Sequence, residues 1–385
     1  MRHLEISKFG PVDYILMNLK RVNVIIGPQS SGKSTILKVA CFCAWLERQI
    51  MLSAQPEKIF NQQTIEEHLL RFHKMTSFLT SDTIISYRND ALAFSYTAKT
   101  QKWTFEWDKK RWSYKCPKIA YIPAERNLVS AIPNWYQVSM KADNMLDFMQ
   151  EWESARKTFV KTERILNLPV KYVYDASTQE DSIQLMSGQK IDMAEASSGL
   201  QSMTPLYIML RYLTGDYFKN GQSTVEQKMI KERLLSILMS EKKNLSDEKA
   251  RKTVSDLLTP NHSDLYIEEP EAHIFPSTQK EFVYSLVNML NGQKKHSCFM
   301  STHSPYVLTS LNNLILAGET LSEKGDAMKV FPKRQTLRYG EVAAYSMRDG
   351  KAIDIMNDEY HLISAEAIDE ASAEIGADFD KLMSL

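Results

Sequence analysis

Residues 27–34 read Gly27-Pro28-Gln29-Ser30-Ser31-Gly32-Lys33-Ser34, and no other stretch constrains the fold of this chain as strongly. The run follows Val22-Asn23-Val24-Ile25-Ile26, an apolar segment of strand length, and precedes Thr35-Ile36-Leu37-Lys38-Val39-Ala40, which opens a helix. Strand, glycine-bounded loop ending in Lys-Ser, and helix together make a nucleotide phosphate loop. The glycines let the loop double back so that its N–H groups point inward, and the helix N-terminus adds a favourable field for an anion. Lys33 is then placed to reach the β- and γ-phosphates, and the Ser34 hydroxyl to ligate Mg²⁺. The expected nucleotide contacts are Gly27, Pro28, Gln29, Ser30, Ser31, Gly32, Lys33, Ser34 and Thr35. A plain Gly/Ser-rich turn is the alternative, and four key residues in register argue against it.

The chain has 385 residues, long enough for two to three domains' worth of core by length alone. No stretch approaches the roughly 20 apolar residues of a membrane span, and the start, Met1-Arg2-His3-Leu4-Glu5-Ile6, looks like a first strand rather than a signal segment. A soluble, cytoplasmic protein without a membrane partner is expected. Cys41, Cys43, Cys116 and Cys298 lack metal-ligand spacing, so buried free thiols are expected. The 47 basic and 47 acidic residues cancel, so global charge gives no argument for nucleic acid.

Periodicity divides the rest. A long apolar helix is expected from Ser34 to about Leu52, and less regular helix over 53–80. From Thr83 to Tyr114 apolar residues alternate (Leu92, Phe94, Tyr96; Trp103, Phe105, Trp107; Trp112, Tyr114), the pattern of antiparallel hairpins. Lys118–Ile122 reads as a strand ending in the charged loop Glu125-Arg126-Asn127, residues 137–168 as helix, 170–193 as short strands, Ser202 to Leu213 as an apolar helix and 223–258 as a charged amphipathic helical segment. Strands over Asp264–Glu268 and Ser297–Thr302, with a helix near Thr278–Leu290 between them, complete the pattern.

Three further motifs carry chemistry. Leu265-Tyr266-Ile267-Glu268-Glu269-Pro270-Glu271-Ala272-His273 is an apolar strand ending in paired acids. Glu268 is assigned the Mg²⁺ role and Glu269 the role of base toward the attacking water. Ser297-Cys298-Phe299-Met300-Ser301-Thr302-His303 is a second strand, and His303 at its end can bond the γ-phosphate or the water. Catalysis is thus expected from Glu269, His303 and Lys33. Glu195-Ala196-Ser197-Ser198-Gly199-Leu200-Gln201-Ser202 precedes an apolar helix, where Ser198 and Gly199 offer either an ordinary N-cap or a phosphate contact.

In this order the four motifs resemble those of the ATP-binding cassette (ABC) ATPases, in the branch of SMC, RecF, Rad50 and OLD. The opening Leu4-Glu5-Ile6-Ser7-Lys8-Phe9-Gly10-Pro11 looks like that branch's first strand, and Glu-Glu-Pro-Glu-Ala-His with Ser-Thr-His-Ser-Pro is similar to AAA-15-type stand-alone ATPases. The resemblance implies an α/β P-loop ATPase head with an antiparallel β lobe and helical insertions. It implies that Ser198 and Gly199 form the signature motif, with Leu200 at its second glycine, and contact ATP on a second protomer, so that a homodimer or higher homo-oligomer closes over ATP and Mg²⁺. It puts Glu271-Ala272-His273 at the dimer seam and His303 at the switch position; Glu268 stands where an Asp is usual, and Glu125-Arg126-Asn127 is the candidate region for the glutamine loop. The coiled-coil arms of SMC and Rad50 are absent from the sequence, and the residues after His303 lack a convincing Toprim metal site.

The expected organisation is a single head over 1–385: an antiparallel β lobe (83–118), a helical signature lobe (137–260), a core from the acid pair to the histidine (264–315) and a C-terminal extension (316–385). The extension's acidic stretch from Glu366 to Asp380 is either a solvated face or a docking surface for a basic partner. Lys and Arg interleaved with aromatics over 82–118 are either nucleic-acid contacts or the polar face of a hairpin sheet. The function expected is an ATP-dimerised switch that controls a separate effector, a nuclease or toxin, as in ATPases of bacterial anti-phage defence systems. The alternatives are a RecF-like DNA-repair ATPase, and an ATP-bound scaffold that holds a toxin inactive.

Overall fold

The computed structural model describes residues 2–53, 55–132, 141–159, 162–219, 225–242, 245–324 and 331–364. Arg2–Phe9 (β1) and Val12–Leu19 (β2) pair antiparallel with Ile6 opposite Ile15. Leu4 and Ile6 are buried while His3 and Glu5 are half-exposed, the period of two that puts one sheet face against a core. Val22–Ile26 (β3) is buried throughout and takes a place inside the parallel part of the sheet, where a strand needs apolar residues on both faces.

After β3 come Lys33–Leu52 (α1), Gln62–Ile65 (α2), and a hairpin lobe of Leu79–Arg88 (β4), Leu92–Thr97 (β5) and Lys102–Trp107 (β6). Pro117–Ile122 (β7) leads to Leu128–Ala131 (α3) and Asn144–Thr158 (α4). Glu163–Arg164 (β8), Val170–Asp175 (β9), Glu180–Leu185 (β10) and Lys190–Asp192 (β11) make a small separate sheet. Ser198–Thr214 (α5), Val225–Glu241 (α6) and Asp247–Leu258 (α7) precede His262–Glu268 (β12), Pro276–Leu290 (α8), Ser297–Thr302 (β13) and Pro305–Lys324 (α9). Val342–Arg348 (β14) and Lys351–Asp354 (β15) follow.

The main sheet runs β6-β5-β4-β1-β2-β15-β14-β3-β13-β12-β7 among the described residues. Strands β14, β3, β13, β12 and β7 are mutually parallel, so their C-terminal ends lie along one edge. One core packs α1 over β7, β12 and β13 and continues onto β1, β2, β4 and β5; the other packs α4, α5, α8 and α9 on the opposite face. This is the α/β P-loop fold expected from the sequence, with its antiparallel lobe and helical insertions.

Three segments differ from expectation. Among the described residues, 137–168 is helical only over α4, because Asp143 caps that helix by accepting from Met145 N (2.9 Å) and Leu146 N (3.0 Å), and Glu163–Arg164 has already turned into strand; 137–140 and 160–161 lie outside the described residues. The helical lobe thus carries a sheet of its own. Trp112 leaves the hairpin alternation: Arg111–Ser113 is a 3-10 turn in which the Arg111 guanidinium lies 3.6 Å from the Trp107 ring centroid and 4.6 Å from that of Trp112. The segment expected as a C-terminal extension contributes β14 to the centre of the main sheet, beside β3. The acidic stretch 366–380 lies outside the described residues. All four cysteines are buried free thiols, as expected.

Candidate nucleotide site

The loop between β3 and α1 turns through two glycines at positive φ, Gly27 (156°) and Gly32 (101°), and through Ser30 at 59°. Gly27 is required: a Cβ there would lie 2.9 Å from both the Cβ and the carbonyl oxygen of Met347 on β14. Pro28, Gln29 and Ser30 are exposed, whereas Lys33 and Thr35 are buried at the start of α1. Lys33 folds back on its own loop, donating from Nζ to Pro28 O at 2.6 Å. Burial lowers its pKa to about 8, against the opposing pull of Glu269 and then Glu271. Ser31 Oγ is buried with no hydrogen-bond partner among the described residues. A cradle with an unused hydroxyl and an inward ammonium suits an oxyanion.

Strand β12 delivers Glu268 beside this loop. Its Oε1 accepts from the Tyr121 hydroxyl and lies 3.6 Å from Lys38 Nζ, and its Oε2 accepts from Ala124 N at 3.2 Å. The neighbouring carboxylate holds the Tyr121 phenol, already raised by burial, well above its ordinary pKa, so it stays a donor. The next residue, Glu269, has φ 41°, a conformation costing of order 1–3 kcal/mol outside glycine. It is held there from three sides: Glu269 N donates to Ser301 O (2.9 Å), and Glu269 O accepts from Ala272 N (3.0 Å) and Arg126 Nη2 (2.9 Å). The turn throws the Glu269 carboxylate toward β13, where Oε1 lies 3.4 Å from His303 Nε2. Glu271 accepts from His303 N at 2.5 Å, so the two strand-end loops are joined through backbone as well.

Ser198 and Gly199 begin α5. Gly199 lies flat against the acid loop, since a Cβ there would come within 2.9 Å of His273 O. Thus Lys33, Glu268, Glu269 and His303 meet at the C-terminal ends of β3, β12 and β13, and Ser198-Gly199 stands on the far side of the acid loop. Lys38, Tyr121 and Arg126 also contact the acid pair, and no sequence motif marks them. A lone residue on a helix or strand carries no spacing signal; only its partners in space mark it. Ser34 and Glu268 are hard oxygen donors of the kind Mg²⁺ takes alongside phosphate oxygens and water, so the residues present fit that ion. Among the described residues, no cluster of three or more His, Cys, Asp or Glu side chains could hold a metal by itself.

No known protein family matches the sequence, and no curated protein matches it. Solved structures do match in shape. The SMC head domain from Thermotoga maritima aligns with a TM-score of 0.40 at 11% identity, over 92% of this chain and 98% of that one. The recombination mediator protein RecF-ATPrS gives 0.39 at 9% identity, over 92% and 97%. A dimeric post-hydrolysis state of the ATP-binding cassette MJ0796, bound to ADP and Pi, gives 0.31 at 12% identity, over 91% and 96%. At this level the likeness is one of general fold.

Proposed function

We propose that the chain binds ATP with Mg²⁺ at residues 27–35 and hydrolyses it. The observation that carries this reading is the 3.4 Å approach of His303 Nε2 to Glu269 Oε1, both anchored in one loop network whose carboxylates pull on Lys33. Lys33 leaves Pro28 O to bind the β- and γ-phosphates, and the loop amides hold the same oxygens. Ser34 and Glu268 would hold Mg²⁺, which would supply positive charge against the triphosphate. Glu269 takes the proton of the attacking water, and His303 bonds the water or the γ-phosphate.

Paired acids and a histidine at strand ends point to water as nucleophile, which favours an ATPase over a kinase. Ser198, exposed at a helix N-terminus beside half-buried Gly199, suits contact with a nucleotide on a second copy of the chain, so that ATP closes a homodimer. A separate effector, a nuclease or toxin, reads the closed state; the motifs Glu-Glu-Pro-Glu-Ala-His and Ser-Thr-His-Ser-Pro favour a role of this kind in anti-phage defence. Among the described residues no helix is long and apolar enough to cross a membrane.

The test is light scattering on Glu269→Gln with and without ATP·Mg²⁺, alongside phosphate release by the wild type. ATP-driven assembly of Glu269→Gln, blocked by Ser198→Arg, supports the switch. Wild-type nucleotide affinity in Lys33→Ala overturns the site itself.

A further inference from the structure

Arg126 is fully buried four residues after the end of β7. Its guanidinium makes four hydrogen bonds, all to backbone carbonyls: Nε to Ser202 O (3.2 Å), Nη1 to Pro123 O (3.3 Å) and Glu268 O (2.9 Å), and Nη2 to Glu269 O (2.9 Å). The guanidinium is planar and rigid, so its acceptors are fixed relative to one another. Three of the four belong to two separate elements: Ser202 O lies one turn into α5, and Glu268 O and Glu269 O belong to the acid pair.

The first turn of α5 needs such an anchor. Pro205 lies inside the helix and has no N–H, so Gln201 O loses its intrahelical donor and the ladder of α5 is one bond short near its start. The Gln201 side chain bonds outward instead, to Met193 O (3.3 Å) and Ala194 O (2.8 Å). On its other side the turn meets His273 O through Gly199, with no room for a Cβ. The start of α5 is therefore tied to the acid loop as well as to its own helix.

We propose that Arg126 is a positioning residue that locks the start of α5 to the backbone of Glu268 and Glu269, so that displacement of Ser198-Gly199 displaces the acid pair. This rests on the reading of the site as an ATP-hydrolysing centre. Contact at Ser198-Gly199, whatever supplies it, is then felt at Glu269 through two hydrogen-bonded steps, Ser202 O to Arg126 and Arg126 to Glu269 O. Arg126 touches no reacting atom; it sets where Glu269 stands.

The test uses the full chain as wild type and as Arg126→Lys, which keeps the charge but cannot span both elements. Fluorescent-ATP affinity, steady-state hydrolysis and hydrogen exchange are measured on both. Affinity within about twofold of wild type with kcat lowered about tenfold or more supports the proposal, because the phosphate loop is untouched while the acid pair is misplaced. Wild-type kcat in a folded Arg126→Lys overturns it. A second readout needs no variant. In the wild type, amides of 198–204 and 268–273 exchange as one unit; protection differing by more than about tenfold between the two segments overturns the proposal. A wild type that neither binds nor hydrolyses ATP removes the functional reading and this inference with it, an outcome distinct from failure of Arg126 alone.

Discussion

His303 Nε2 and Glu269 Oε1 lie 3.4 Å apart although they end different strands, so the two groups proposed to handle the attacking water are held as a pair. Groups that act as a unit give non-additive losses. Glu269→Gln is expected to lower kcat by about 10²–10⁴-fold. His303→Ala is expected to cost about 10²-fold alone, and little beyond the Glu269→Gln loss when combined with it. Steady-state phosphate release by the two single variants and the double variant checks this.

Lys33 gives a pH signature. Burial lowers its pKa to about 8, and a bound triphosphate favours its charged form. Below pH 8 the ammonium is present before ATP arrives, and affinity is flat. Above pH 8 a proton must be taken up on binding, so affinity falls by up to about tenfold per pH unit. Stability moves the other way. The folded pKa lies below the unfolded value, so the unfolded chain holds the extra proton between about 8 and 10.5, and this group's contribution to stability rises with pH across that window. Calorimetry at pH 8.5 in buffers of differing ionisation enthalpy checks for proton uptake.

Gly27 and Gly340 make a matched pair. A Cβ at Gly27 collides with Met347 on the adjacent strand and meets a positive φ, whereas one at Gly340 meets nothing within 4 Å. Gly27→Ala is expected to destabilise by about 1–3 kcal/mol and to weaken ATP binding. Gly340→Ala is expected to stay within about 0.5 kcal/mol of wild type. Urea midpoints for both variants check this.

At the opposite end of the strands, Arg2 Nη1 lies 2.8 Å from Asp264 Oδ2, with Glu47 Oε2 3.9 Å from Arg2 Nε. Asp264 and Glu47 are both buried. Burial opposes ionisation of Asp264, but Arg2, His262 and Ser297 together hold its carboxyl well below the usual range; burial pushes Glu47 up. Removing Arg2 strands these carboxyls, and Arg2→Met is expected to cost about 3 kcal/mol at pH 7. The Asp264 contribution is present above its unfolded pKa and fades as pH falls below about 4, so the gap to wild type narrows in acid. Unfolding at pH 7 and at about pH 2.5 checks the sign.

Local chemistry was legible in the sequence wherever it determines conformation. Val22–Ile26 matches its expected limits, because an apolar run closed by a glycine loop has one reading, and α1 begins where Lys33-Ser34 puts it. β13 likewise keeps its expected limits, and β12 ends where expected but begins two residues earlier, at His262; both strands end at a switch from apolar to polar or charged residues. Nonlocal contacts left no such mark. Strand β14 pairs with β3 across more than 300 residues, and Val342-Ala343-Ala344 has no local feature naming its partner. Arg126 is one arginine in a loop until the carbonyls of Ser202, Glu268 and Glu269 surround it. Trp112 broke the hairpin pattern because the arginine before it stacks between two indoles, a tertiary contact that outweighs alternation.

The strand that carries the phosphate loop has both its neighbours, β13 and β14, from the last third of the chain. During synthesis the loop therefore emerges early and waits: a nascent chain that has not reached residue 348 has no Met347 against which Gly27 can be set. Closing such long sequence separations is slow, and an unpaired apolar strand is exposed meanwhile. ATP binding thus becomes a late event in the life of each molecule, and premature termination before β14 yields a chain with the whole phosphate-loop motif and no sheet to hold it.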